Sequence, residues 1–268
     1  MLKTEQRNIN SMNIDKMNTK SMLNVIQTEN ENAVKAVSGA IDSIEKAIDE
    51  ISQRMNNSGR LFYIGCGTSG RLGVLDASEC PPTFGVSDNT VIGIIAGGDI
   101  ALRHAVENSE DNYEAGKSDL RNYKLTHNDS VIGISVAGGA EYVVGALEYA
   151  KERGALIIAL TCNENTKIGK LSDIEIITDT GAEVITGSSR MKAGTAHKMV
   201  LNMISTSVMI KAGYVYENLM INLQPSNAKL RSRMIRILTE IKGLSYSEAE
   251  QLLIDNDYNL KSIINSSE

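Results

Sequence analysis

The chain of 268 residues lacks tryptophan altogether and holds only two phenylalanines, three prolines and three cysteines. The cysteines, Cys66, Cys80 and Cys162, have neither the spacing of a metal site nor a disulfide pattern. The N-terminus lacks the apolar segment of a secretion signal, and no apolar run is long enough to span a membrane. These absences predict a cytoplasmic protein with no membrane as partner.

A surplus of positive charge is also missing. The 27 lysine and arginine residues face 33 acidic ones, for a net charge of −6. Because duplex binding draws on clustered lysine and arginine, nucleic acid is not expected as a partner. The three histidines, His104, His127 and His197, lack ligand spacing with cysteines or acids, so no metal site is predicted. Small molecules and protein subunits remain as partners.

Short apolar runs alternate with helical patterns through the middle of the chain. Five runs predict strands, at residues 61–64, 91–96, 131–136, 155–161 and 174–178. This alternation predicts an α/β fold, a parallel five-stranded sheet with helices on both faces. Ligands bind beyond the carboxyl ends of such strands. The loops expected there contain Gly65, Gly97, Gly138 and Asn163.

The flanking regions have a different character. Residues 1–30 form a polar arm, and an apolar stripe over 34–55 predicts one long helix that packs either on its own sheet or on a second subunit. Beyond Pro225 the chain becomes polar and helical, and Ser245 with Glu248 resembles a capping box. We therefore predict three regions: the arm and long helix (1–55), an α/β domain (56–225) and a small helical appendage (226–268).

The first predicted strand ends in a glycine-rich loop that turns into a helix. Backbone N–H groups at such a junction can hold a phosphate, and the hydroxyls of Thr68 and Ser69, next to Gly67, can add donors. Glu79 follows one helix later. A carboxylate paired with an anion cradle predicts chemistry on a phosphorylated small molecule. The alternative for Glu79 is a cap or ion pair near the break at Pro81.

Two further segments offer candidates. Ser188, Ser189 and Lys192 open a long helical run and predict a second anion site, although a simple serine cap would explain one of them. Glu110 is a candidate proton-transfer group on a predicted helix, and it has close rivals in Glu107 and Asp111.

Several motifs together resemble a known family. They are GCGTSGRLGVLDASECPPTFG at 65–85, IAGG at 95–98, TGSSRMKAGTA at 186–196 and NLM at 218–220. These segments are similar to those of the N-acetylmuramic acid 6-phosphate etherases, and the likeness runs from about Thr4 to the C-terminus. The family has the sugar isomerase fold, an α/β sheet that binds phosphosugars.

The resemblance implies a lyase that removes D-lactate from C3 of a phosphorylated amino sugar, N-acetylmuramic acid 6-phosphate, in peptidoglycan recycling. One group must take the proton at C2, and another must protonate the departing ether oxygen, which two carboxylates can do. The resemblance assigns the acid to Glu79 and the base to Glu110, with no cofactor. The expected substrate-binding residues are Gly67, Thr68, Ser69, Ser135, Ser188, Ser189 and Lys192.

One loop departs from the family pattern. The family has a Ser-Gly-Arg-Thr core after the third strand, where this chain has residues 137–140, AGGA, followed by Glu141. Lost hydroxyls and a lost cation should weaken substrate binding unless Ser135 or another loop compensates. A relative of the family, a glucokinase regulatory protein, binds phosphosugars without turnover. A non-catalytic regulatory protein is therefore the alternative, but only a catalyst needs both Glu79 and Glu110.

Domains of the sugar isomerase type commonly pair, and the stripe at 34–55 offers a seam for helix packing. By analogy with the family, we expect a homodimer.

Overall fold

The computed structural model describes residues 1–225 and 227–265. The central sheet holds five parallel strands in the order β2-β1-β3-β4-β5. The strands are β1 Leu61–Gly65, β2 Val91–Ile95, β3 Ser130–Ile134, β4 Leu156–Thr161 and β5 Ile174–Ile177. The helices up to the end of this domain are α1 Thr19–Gly39, α2 Ile41–Asn56, α3 Gly67–Phe84, α4 Ile100–Arg103, α5 Tyr113–Arg121, α6 Glu141–Glu152, α7 Lys167–Leu171 and α8 Lys192–Lys211. The predicted α/β class and parallel five-stranded sheet are confirmed.

Helices cover both faces of the sheet, as predicted. In β1 every residue is buried: Leu61 and Tyr63 belong to the core under α1, α2, α3 and α8, whereas Phe62 and Ile64 belong to the core under α5, α6 and α7. A strand that is buried on both faces has apolar residues at successive positions. The apolar runs of the sequence therefore marked the strands correctly.

The prediction of one long helix over residues 34–55 was wrong. The chain forms two helices that meet at Ala40, whose backbone leaves the helical region at φ −103° and ψ 5°. Gly39 ends α1, and glycine favours such an end because it stabilises a continuing helix poorly. Val37 and Ile44 are buried, but Val34 and Ile41 are exposed, so the apolar stripe is divided between two helix directions.

The N-terminal arm lies along the carboxyl edge of the sheet. Asn163 Nδ2 donates to Thr4 Oγ1 at 3.0 Å, and Asn8 Nδ2 donates to the carbonyl of Ala182 at 2.9 Å. Ser11 Oγ donates to the carbonyl of Val184 at 2.7 Å. The arm is thereby fastened to the loops that follow β4 and β5.

The C-terminal helices are α9 Ala228–Lys242, α10 Tyr246–Asp255 and α11 Leu260–Asn265, and they follow a hairpin of β6 Val215–Tyr216 and β7 Leu219–Met220. They bury an apolar core of their own. The predicted capping box of Ser245 and Glu248 is confirmed. The limits of the predicted appendage, residues 226 and 268, lie outside the described residues. No helix in the described part of the chain is long and apolar enough to cross a membrane.

Candidate active site

The amino terminus of α3 forms an open cradle directly after β1. Cys66 occupies the N-cap position, and its side chain makes no capping hydrogen bond. Gly67 has φ +52°, and a Cβ there would meet nothing within 4 Å. Thr68, half-buried, and Ser69, buried, complete the first turn. Uncapped amides facing open space have the arrangement that an anion requires.

The loop after β3 borders the cradle. Ser135 Oγ accepts a hydrogen bond from the Gly138 amide at 3.1 Å, so this hydroxyl closes the loop itself. Gly138 has φ +69°, and a Cβ there would overlap Thr166. Glu141 forms an ion pair with Lys167, which offsets the negative charge that the sequence placed beside the expected phosphate.

Glu110 lies in the loop before α5, near Cys66 at the start of the cradle. Its carbonyl accepts a hydrogen bond from the Tyr142 amide at 2.9 Å, which ties its loop to the start of α6. Burial, and then the charges of Glu110 and Asp111, raise the pKa of the Cys66 thiol to about 12. Both carboxylates are therefore near the residue that precedes Gly67. Of the two alternative candidates for the base, Glu107 and Asp111, it is Asp111 that lies with Glu110 near Cys66.

Glu79 lies on the same helix as the cradle, but far along it. It follows Thr68 by 11 positions, which is three turns and about 16 Å of helix axis. The two residues share one face of α3, and Leu75, 49% exposed, lies between them. Glu79 itself is exposed. Within one chain, the structure brings Glu110 to the cradle and leaves Glu79 at the other end of this face.

The amino terminus of α8 is capped by the protein itself. The Ala193 amide donates to the Glu183 carboxylate at 3.0 Å, and Glu183 is 1% exposed. Burial raises the pKa of Glu183. The alternative of a serine cap is therefore wrong, because Met191 is the N-cap residue and Glu183 accepts the amide. Glu183 lies ten positions before Ala193, in the loop between β5 and α8, and no local sequence signal marked it.

Lys192, the first residue of α8, is paired inside the protein. Its ammonium contacts the carboxylate of Glu29 on α1, and both side chains are 3% exposed. Two positions later, a Cβ on Gly194 would lie 3.4 Å from Thr68 Cγ2 and 3.7 Å from the carbonyl oxygen of Ser189. The structure thus brings the start of α8 and Ser189 against the cradle of α3.

A buried acid that sequence reasoning missed holds α3 in place. Asp76 accepts hydrogen bonds from Tyr63 Oη at 3.0 Å, Asn202 Nδ2 at 2.5 Å and Ser205 Oγ at 3.2 Å. These donors come from β1 and α8, so Asp76 joins three elements around the cradle. Its partners on α8 lie 126 and 129 positions away in the sequence.

His197 is buried one turn further along α8, beside Cys162, which directly follows β4 and is also buried. Cys162 Sγ lies 3.4 Å from His197 Nε2, and burial lowers the pKa of His197 to about 4. His197 Nδ1 has no hydrogen-bond partner in the described chain. Among the residues that the structure describes, no group of three or more His, Cys, Asp or Glu side chains is arranged to hold a metal ion.

Comparison with known proteins identifies the family. A SIS domain model matches residues 104–207, and the model of the glucokinase regulatory protein N-terminal SIS domain matches residues 43–151. An N-acetylmuramic acid 6-phosphate etherase of Caldanaerobacter subterraneus is 55% identical over 96% of this chain and 84% of that protein. The chain belongs to the N-acetylmuramic acid 6-phosphate etherase family. The resemblance predicted from the motifs is confirmed.

Other relatives agree with this assignment. The N-acetylmuramic acid 6-phosphate etherase of Bacillus subtilis is 50% identical over 98% of this chain and 86% of its own length. Relatives with this name do not favour the regulatory alternative. A phosphoheptose isomerase of Neisseria gonorrhoeae has a TM-score of 0.56 at 18% identity, and covers 71% of this chain and 98% of its own. A putative phosphosugar isomerase of Bacteroides fragilis has a TM-score of 0.55 at 22% identity, covering 74% and 94%. Both share the fold.

Proposed function

We propose that this chain is a lyase that cleaves the D-lactyl ether of N-acetylmuramic acid 6-phosphate, giving N-acetylglucosamine 6-phosphate and D-lactate. The observation that carries the proposal is the 55% identity to an etherase over 96% of the chain. The three cysteines are free thiols. A reducing compartment suits them, so we place the reaction in the cytoplasm.

The phosphate binds at the amino terminus of α3. The amides that follow Gly67 and the hydroxyls of Thr68 and Ser69 supply donors without a counter-charge, and Gly67 leaves room for the ligand. Ser189 lies close to this turn. Ser188 is the residue directly before Ser189 in the sequence. These two serines and Ser135 complete the polar lining for the sugar.

Two carboxylates perform the elimination. Glu110 removes the proton at C2 of the open-chain aldehyde, and the electron pair forms a double bond to C3 as the ether bond breaks. Glu79 gives its proton to the departing oxygen, which leaves as D-lactate. Water then adds at C3, and a proton returns to C2. The reaction consumes one water and no electrons, so it requires no redox cofactor.

The position of Glu79 leads us to propose a homodimer. The α3 face between Thr68 and Glu79 has an exposed centre at Leu75. If two copies pair through this face with antiparallel α3 helices, the two-fold axis places Glu79 of the partner subunit beside the cradle of the first. Each site then holds Glu110 of one chain and Glu79 of the partner subunit. An exposed leucine in such a seam is buried by the pairing.

Release of D-lactate by the purified protein tests the function. We expect Glu79→Gln and Glu110→Gln each to lower kcat by about 100-fold to 10,000-fold, because each removes one proton-transfer group. Glu107→Gln is the matched control, since Glu107 is exposed and lies in the same loop as Glu110. Absence of lactate release by the wild-type protein at high substrate would contradict the proposal.

Mixing the two inactive variants tests the shared site. A mixed dimer of Glu79→Gln and Glu110→Gln chains has one site with both substitutions and one intact site. Random exchange should therefore restore about a quarter of wild-type activity if each site spans two copies. If each site instead lies within a single chain, every site in a mixed dimer carries one of the two substitutions. Mixing would then restore no activity.

A further inference from the structure

The ion pair between Glu29 and Lys192 is sealed inside the protein. Both side chains are 3% exposed, and Asn10 Nδ2 also donates to Glu29 at 2.8 Å. Burial alone raises the pKa of Glu29, but hydrogen bonds from Lys192, Asn10 and Asn8 outweigh it and hold the pKa below its usual value. The ammonium of Lys192 is therefore committed to a carboxylate of its own chain. It does not face the open cradle.

The pair acts on the segment that lies against the cradle. Lys192 is the first residue of α8, and the amide of Gly194 donates to the carbonyl of Ser189 at 3.1 Å. Gly194 in turn faces Thr68, because a Cβ added at Gly194 would lie 3.4 Å from Thr68 Cγ2. A shift at Lys192 would move Ser189 and the wall beside Thr68 together, because Gly194 is two residues from Lys192, is hydrogen-bonded to Ser189 and faces Thr68 without a side chain between them.

The N-terminal arm strengthens this connection. Asn10 contacts Glu29 directly, while Asn8 and Ser11 bind the carbonyls of Ala182 and Val184. Those carbonyls flank Glu183, which accepts the Ala193 amide. The arm, α1 and the loop before Ser188 thus meet at the start of α8.

We propose that Glu29 and Lys192 are positioning residues for the substrate site. Their buried pair, held by the arm, sets the start of α8 and Ser189 against Thr68, and Lys192 does not itself contact the substrate. The identity of the ligand in this inference rests on the proposed function. The fixed position of the α8 terminus does not depend on that function.

A double-mutant cycle on KM tests the proposal. Glu29→Met and Lys192→Met each leave one buried charge unpaired, whereas the double variant removes both and can keep the fold. We expect each substitution to raise KM about ten-fold and the double variant to raise it no further, because both act through one contact. The change in kcat should be smaller than that in KM, since neither residue transfers a proton.

The double variant keeps the test decisive if the single variants do not fold. A folded double variant with the KM of the wild type would overturn the proposal. Direct binding by Lys192 predicts a different pattern: Glu29→Gln would free the ammonium and lower KM, while Lys192→Met would raise it. That pattern would also overturn the proposal.

Two further measurements separate this inference from the proposed function. Asp49→Asn breaks the exposed pair between Asp49 and Lys211 at the other end of α8, 3.1 Å apart, and should leave KM unchanged. Hydrogen exchange without substrate should show the amides of Ala193 and Gly194 exchanging about ten-fold faster in the double variant. This readout needs no catalysis, so it remains valid if the wild type releases no lactate. Unchanged exchange would overturn the inference.

Discussion

The amino termini of α3 and α8 follow similar sequences and meet at the same edge of the sheet, but they differ in what occupies them. A glycine precedes each helix, and hydroxyl side chains lie in the first turn of α3 and just before α8. At α3 the N-cap residue, Cys66, makes no side-chain capping hydrogen bond, and a Cβ at Gly67 would meet nothing within 4 Å. At α8 the carboxylate of Glu183 binds the Ala193 amide, and Lys192 is paired with Glu29.

This difference separates a terminus available to a ligand from one that is part of the structure. A helix N-terminus attracts negative charge wherever that charge comes from. At α8 the protein supplies its own carboxylate, and a second anion there would meet like charge. Among the described residues, the N-terminus of α3 has no such carboxylate of its own, so its attraction for negative charge can act on a phosphate. The predictions below test this division, from the largest expected effect to the smallest.

One side of the α3 terminus packs tightly against the ends of β1 and β2, and we call it the closed side. Gly70→Ala should disrupt this packing. A Cβ at Gly70 would lie 2.5 Å from the carbonyl oxygen of Gly65 and 2.6 Å from Ile95 Cγ1, so strand and helix would be forced apart. We expect a loss of about 4 kcal/mol in the free energy of unfolding, measured by chemical denaturation. Gly139→Ala is the control, because a Cβ there meets nothing within 4 Å. Equal losses in the two variants would contradict this view of the closed side.

The α8 region should make the protein sensitive to acid through His197. Its pKa is about 4 in the folded protein and about 6.5 when unfolded, so the unfolded chain binds a proton first as the pH falls. Stability is therefore lost between pH 6.5 and pH 4, by about 3 kcal/mol in total. Denaturation at several pH values measures this slope. His197→Met should remove it, and His104→Gln, at an exposed position, should retain it. A slope that survives His197→Met would show that another group is responsible.

At Gly67 the α3 terminus faces open space, and we call this the open side. Gly67→Ala should affect this side. The left-handed backbone at φ +52° costs a residue with a side chain about 1–2 kcal/mol, and nothing nearby clashes with the new methyl group. The methyl group points into the space proposed for the phosphate, so KM should rise more than stability falls. Denaturation and lactate release measure the two effects. An unchanged KM would place the phosphate elsewhere.

Glu141→Gln should change little. The pair between Glu141 and Lys167 is exposed, and such pairs contribute about 0.5 kcal/mol or less. Because Lys167 already offsets the charge, KM should also stay near the wild-type value. A large fall in KM would show that Glu141 repels the phosphate despite its partner.

Much of the fold was predictable because its signals are local. The apolar runs marked all five strands, since a strand between two helical layers is buried on both faces. The junction of β1 and α3 was predictable for the same reason, because its glycine and hydroxyl residues are consecutive. The division at Ala40 was missed, since an apolar stripe continues across the break and does not report a change in helix direction.

The sequence by itself determined the sheet, the cradle of α3 and the family, because each depends on neighbouring residues or on a continuous motif. Only the tertiary structure decided which helix terminus stays open. Glu29 and Lys192 lie 163 positions apart, and Glu183, ten positions before Ala193, turns back from the preceding loop onto the start of α8. Pairing of buried charges depends on which elements pack together, and that packing has no local signal in the chain.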